Sequence, residues 1–129
     1  MPRRPQRISL ARRKGFRLDA VSRALNGLPA KSVARPGRWG NPFTTEDVGK
    51  RFGVTGEAAQ RQAVMLYKAW LAGSLAPELD PGYPPPERAE LVAALGGYNL
   101  SCWCKPGTPC HADVLIALSN PQQETDDSR

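Results

Sequence analysis

The sequence predicts a small α/β domain. Three features predict it: a helical apolar stripe in mid-chain, short strand-like segments on either side of that stripe, and a length of 129 residues that suits one compact unit. Composition agrees, since 40% apolar and 23% charged residues are ordinary for a globular chain. No apolar run approaches the roughly 20 residues of a membrane span. The Arg-rich start also lacks the apolar core of a secretory signal. These absences lead us to expect a cytoplasmic protein with reduced thiols and no membrane partner. Its three cysteines, an odd number, fit a disulfide framework badly.

Taken in order, residues 1–7 (MPRRPQR) read as a disordered basic start, residues 8–120 as one α/β domain, and residues 121–129 as a disordered polar tail. Within the domain, Ile8, Leu10, Phe16 and Leu18 flank a basic RRKG turn, as in a short hairpin-like excursion. Asp19 can cap a helix over 20–25 that ends at Asn26-Gly27. Lys31 to Arg35 is a weak strand candidate stopped by Pro36-Gly37, and RWGNPF (38–43) must be a loop. Thr44 with Asp47 resembles a capping box, and Gly53 closes the short helix that follows. The clearest helix runs from 57 to 71, its stripe made by Ala59, Ala63, Leu66, Tyr67, Trp70 and Leu71. Residues 74–86 are Pro-rich and read as a linker or a strap over the surface. A helix over 87–95 ends at Gly96-Gly97, a strand follows over 98–104, and a last helix spans 109–118 with Thr108 as cap and Pro109 in its first turn.

Charge is unevenly spread. Residues 1–38 hold 11 of the 18 basic residues and one acid, Asp19, while the remainder is net acidic. Such a basic N-terminal segment suits a polyanion such as nucleic acid. A solvated basic tail with no partner is the plainer alternative, and Phe16 is the one aromatic interleaved with it before Trp39.

All three cysteines and the single histidine fall between residues 102 and 111. On a strand, Cys102 and Cys104 project to one face and Trp103 to the other. The KPGTP loop then brings Cys110 and His111 to them at the start of the last helix. Three thiolates and an imidazole are a donor set for tetrahedral zinc. Neighbours on a helix diverge by about 100°, so joint ligation by Cys110 and His111 requires a distorted first turn. Two other readings stay open. Cys110 in a first helical turn would be a thiolate favoured by the helix dipole, with His111 or Asp113 as base or orienter. Or the cluster is packing, with His111 on the stripe of Val114, Leu115 and Leu118. A Cys102–Cys104 disulfide would be strained.

The RWGNPF loop offers Arg35, Arg38, Trp39 and Asn41 just past a strand candidate, where open α/β sheets bind ligands. Two guanidinium groups, an amide and an indole suit a phosphate and a stacked base. The alternative is a plug, with Trp39 and Phe43 covering the core and Asn41-Pro42 making a turn.

Together RKGFRL, ARPGRWGNPF and LSCWCKPGTPCHADVLIALSN resemble the family called domain of unknown function 4326, found in bacteria and their phages. The likeness covers residues 6–120 and falls on Arg35, Trp39, Gly40, Asn41, Pro42 and Phe43, and on Cys102, Trp103, Cys104, Cys110, His111, Asp113 and Leu115. Two departures are visible: a longer segment before ARPGRWGNPF, and ARP where relatives often read VGRP. The family carries no assigned activity. Its pairing of the two motifs implies one cleft containing Arg38, Asn41, Cys110, His111 and Asp113. The expected function is a Cys/His domain, holding zinc, that binds a nucleotide or nucleic acid. The alternative is an enzyme acting on a nucleotide or nucleobase through zinc-activated water or a Cys110 nucleophile.

Overall fold

A computed structural model of the chain describes residues 4–35 and 37–121. In chain order the elements are β1 (Arg7–Ser9), α1 (Leu18–Asn26), β2 (Ala30–Ser32), α2 (Thr45–Phe52), α3 (Gly56–Ala72), a 3-10 turn (Pro77–Leu79), α4 (Arg88–Leu95), β3 (Asn99–Cys102) and α5 (His111–Ser119). The three strands form a parallel sheet in the order β1-β3-β2, so the last strand inserts between the first two. Ile8 and Ser32 both pair with Ser101. A central parallel strand is covered on both faces, which is why all four residues of β3 are buried and none is charged. The α/β class is as the sequence predicts.

Local signals account for the helix ends. Gly27 adopts φ 78° and donates its N–H to the Arg23 carbonyl, closing α1. The Thr44 hydroxyl accepts from the Asp47 amide at 3.1 Å and starts α2. Along α3 the buried residues are Ala59, Ala63, Leu66, Tyr67 and Trp70, the stripe anticipated except for Leu71, which is half-buried. α5 packs on β3 and β1 and against α3 and α4, which places its N-terminus beside the carboxyl end of the sheet. The Pro-rich segment is a strap: Pro86 is fully buried, and Tyr83 meets the Trp70 ring edge-on at 5.5 Å. Among the described residues no helix is long and apolar enough to cross a membrane.

Several boundaries differ from the sequence reading, among them β2, which spans Ala30–Ser32 and stops three residues short of Arg35. Ordered structure begins before residue 8: β1 starts at Arg7, and Gln6 is already hydrogen-bonded to Asn99. No hairpin forms over 8–18, because β1 takes the distant β3 as its partner rather than the next segment. β3 stops at Cys102, so Trp103 and Cys104 lie in the bend beyond it. α5 starts at His111, two residues later than Pro109 suggested. The assignments to residues 1–3, Pro36 and 122–129 lie outside the described residues.

The amino end of β3 is held by a buried amide. Asn99 Nδ2 donates to Ser22 Oγ at 2.7 Å and to Asn26 Oδ1 at 2.8 Å. Its Oδ1 accepts from the Gln6 amide at 2.8 Å and from Asn26 Nδ2 at 2.9 Å. One fully satisfied carboxamide thus joins β1, α1 and β3. Asn99→Ala takes the Gln6 amide's acceptor and removes bonds from Ser22 and Asn26, which keep only their contacts to Leu28 and Arg4, so a loss of about 1–3 kcal/mol is expected in urea unfolding. A loss under about 0.5 kcal/mol would show that the network is dispensable.

Candidate metal centre

The candidate metal centre is assembled where β3 ends. Cys102 is its last residue and is buried. Residues 105–108 then form a turn, with the Thr108 amide and hydroxyl both donating to the Lys105 carbonyl (3.2 and 2.6 Å) and Gly107 at φ 80°. Pro109 disfavours a helical Thr108. Cys110 stays extended (φ −151°, ψ 142°) and is the N-cap of α5, with no side-chain cap bond. An extended Cys110 is freed from the divergence that two adjacent helical side chains would show. Its sulfur turns back to within 2.8 Å of Cys102 Sγ, a thiol pair in which either can donate.

The sulfurs of Cys102, Cys104 and Cys110 all lie within 4.8 Å of one another, and all three cysteines are free. Zn–S bonds of about 2.3 Å place sulfurs about 3.8 Å apart, so shifts of about 1 Å would seat such an ion. The donor set therefore fits a metal ion.

His111, first residue of α5, is 8% exposed. Its Nε2 lies 2.7 Å from the Val33 carbonyl. A carbonyl only accepts, so Nε2 carries the proton and the neutral ring presents a lone pair at Nδ1, which sits 3.9 Å from Cys110 Sγ. Burial keeps the imidazole neutral by lowering its pKa. The Tyr67 ring stands edge-on to it at 5.4 Å. A metal-bound histidine commonly has this arrangement, one nitrogen donating to a carbonyl and the other facing the ion.

Crowding divides the thiols. Hydrogen bonds from Cys102 and then Cys110 pull the Cys104 pKa down. The Cys102 thiol is pushed up by Cys104, and that of Cys110 by Cys102 and Cys104. Cys104 is also the half-buried member, whereas Cys102 and Cys110 are buried.

β1 clamps this loop from the side. The Leu10 amide donates to the Cys102 carbonyl and Ser9 Oγ to the Cys104 carbonyl, both at 2.7 Å. Arg7 Nη1 reaches the Thr108 carbonyl at 2.7 Å and Asp113 Oδ2 at 2.9 Å, and Nη2 the Lys105 carbonyl at 3.4 Å. Asp113 is thus a partner of Arg7; burial raises its pKa and Arg7 opposes that.

A cleft of about 300 Å³ opens above the thiols. It is lined by Arg35, Asn41, Gln60 and Trp103 along with the three cysteines and His111, and no carboxylate is among its lining residues. The two motifs therefore do meet, though not through every residue anticipated. Asn41 borders the cleft, but its amide is engaged: Nδ2 donates to the Ala63 carbonyl and Oδ1 accepts from the Phe43 amide. Arg35 Nη1 donates to the Asn41 carbonyl at 3.1 Å. Gly40 must lack a side chain, since a Cβ there would sit 2.8 Å from Arg35 Cγ.

Arg38, Trp39 and Asp113 are not among the cleft's lining residues. Arg38 makes a two-pronged bond to Glu90 at 3.0 and 2.8 Å, which raises its own pKa and lowers that of Glu90. Trp39 packs on the core, and its carbonyl accepts from Tyr67 Oη at 2.8 Å. The sequence reading missed Arg7, Val33 and Gln60 as parts of the site, and took Trp103 as facing away. No local signal marks Arg7 or Val33, because each acts on a residue at least 78 positions distant.

The model of a family described as a domain of unknown function, DUF4326, matches residues 22–121, and the chain belongs to that family. No curated protein and no solved structure matches the chain.

Arg7→Met keeps the aliphatic stem and removes every bond to the cysteine loop. It should cost about 1–3 kcal/mol in urea unfolding and speed the reaction of Cys104 with an aromatic disulfide reagent. Unchanged stability together with an unchanged thiol rate would mean that the loop holds itself.

Proposed function

We propose that the protein is a zinc-holding binding module whose metal is ligated by Cys102, Cys104, Cys110 and His111 Nδ1, and whose cleft takes a nucleotide or nucleic acid. The observation that carries this reading is the cluster of three sulfurs, all within 4.8 Å of one another, with the His111 imidazole beside Cys110. His111 is locked by Val33 into the tautomer that leaves a lone pair on Nδ1, 3.9 Å from Cys110 Sγ. A site with four protein ligands is closed, which is the mark of structural zinc rather than zinc that activates water.

Two further observations favour binding over catalysis. The cleft lining holds no Asp or Glu to act as general base. Cys110 is buried with its thiol pushed up, the reverse of what a nucleophile needs. Arg35, exposed and at the cleft wall, is the group suited to a phosphate.

Protein purified without added metal should contain about one zinc per chain, with thiols that react only after chelation. Metal-free protein with freely reacting thiols would overturn the reading. Because Cys102 and Cys110 must lose protons to ligate, zinc binding should release protons and weaken as pH falls. His111→Ala should weaken zinc by at least tenfold, measured by competition with a chromophoric chelator. Arg35→Ala should weaken oligonucleotide binding at low salt and lower its salt slope by about one contact while leaving the metal in place.

A further inference from the structure

Three loops leave the carboxyl edge of the sheet, and each brings one group toward the same place. The loop after β2 supplies Arg35 to the cleft wall. The loop after β3 supplies Trp103, which lines the cleft yet is 49% exposed. The loop after β1 supplies Arg12, whose guanidinium lies 4.8 Å from the centre of the Trp103 ring. A large indole left half in water beside the buried Cys102 does nothing for the core. Arg13 and Lys14 follow Arg12 and are also exposed. Among the described residues no carboxylate forms an ion pair with Arg12, Arg13 or Lys14. Arg7, Arg38 and Lys31, by contrast, are engaged within the fold.

We propose that Trp103 is a stacking platform for one unpaired nucleobase, with Arg12 and Arg35 flanking it as contacts to the phosphates on either side. This rests on the nucleotide-binding reading of the cleft and names its ligand chemistry: a base with an accessible π-face joined to phosphate. An indole is the side chain best suited to that face, and it stays 49% exposed with the Arg12 guanidinium already laid on one side of the ring. A cleft of about 300 Å³ has room for one base rather than a folded oligomer. The basic run Arg12-Arg13-Lys14 extends outside it, as a strand continuing past the stacked base requires. A base within a duplex has no free face, so duplexes are excluded from this mode.

The test uses the full chain in its metal-loaded form. Its intrinsic fluorescence and the anisotropy of labelled homopolymeric single strands of increasing length would be followed at low and moderate salt. Nucleoside 5′-monophosphates and a duplex of the same length serve as competitors. Single strands should bind and quench the fluorescence, with Trp103→Phe retaining most of the affinity and Trp103→Ala losing roughly 5- to 150-fold, the weight of one stacked base. Arg12→Ala should lower the salt slope by about one contact. Affinity that grows with strand length identifies single-stranded nucleic acid as the source of the base, and equal competition by monophosphates identifies free nucleotide. Metal protection of the thiols in Trp103→Ala shows that the site is intact. With the site intact, binding equal to wild type would overturn the stacking proposal and leave the wider reading standing. A preference for duplex would overturn it too. Failure of the metal-loaded wild type to bind any of these probes would remove both.

Discussion

Strand β3 is the constraint on which the rest of the molecule depends. Its four residues are buried, and each has a different duty. Asn99 gathers Gln6, Ser22 and Asn26 at one end, Leu100 lies in the core, Ser101 pairs with both flanking strands, and Cys102 opens the thiol cluster at the other end. A slip of one residue would send every side chain to the opposite face, removing the amide from its network and the thiol from its partners at once. With neighbours of only three residues each, ladder bonds alone cannot hold this register. The two polar clusters at its ends do. The Asn99 network ties β1 and α1 to the amino end, and Arg7, Ser9 and Leu10 tie β1 to the cysteine loop at the carboxyl end.

What could be read from the sequence follows from how local each signal is. Thr44 with Asp47, Gly27 and Gly53 act within one helical turn, and α1 and α2 end where those residues indicate. The α3 stripe spans several turns and marks the core directly. β1 was illegible because Arg-Ile-Ser sits in a basic run and its partner is 93 residues away. The start of α5 was misplaced because Pro109 suits a first helical turn as well as it suits the extended approach to one. That error also hid the geometry at 110 and 111, where an extended N-cap leaves Cys110 Sγ 3.9 Å from His111 Nδ1. The chemical types at the RWGNPF loop were read correctly but their employment was not. Arg38 serves Glu90, Asn41 serves the Ala63 carbonyl and the Phe43 amide, and only Arg35 is left exposed at the cleft.

Electrostatics give the same picture of division of labour. Within the basic segment Arg7 is consumed by the loop it clamps. Among the described residues Arg12, Arg13 and Lys14 remain without an acidic partner, and they project from the edge of the sheet where the thiols lie. A net positive charge of +6 therefore says less about partners than the few cations the fold does not use.

Cavity size is a poor guide to the site here. The hollow under the Pro-rich strap is larger, about 500 Å³, and is lined by Trp70, Leu75, Tyr83, Pro84 and Pro85, with Asp80 its single charged residue. The cleft at the thiols is smaller but collects groups from the loop after β2, from α3, from β3 and from the start of α5, and binding sites are marked by such convergence. The cleft is also tied mechanically to the metal centre. His111 donates to the carbonyl of Val33, which stands two residues before Arg35, and Tyr67 packs on that imidazole while its hydroxyl holds Trp39. The residues that orient the imidazole therefore also set the loop that walls the cleft. A change at His111 is felt at Arg35 through one hydrogen bond and two residues of backbone.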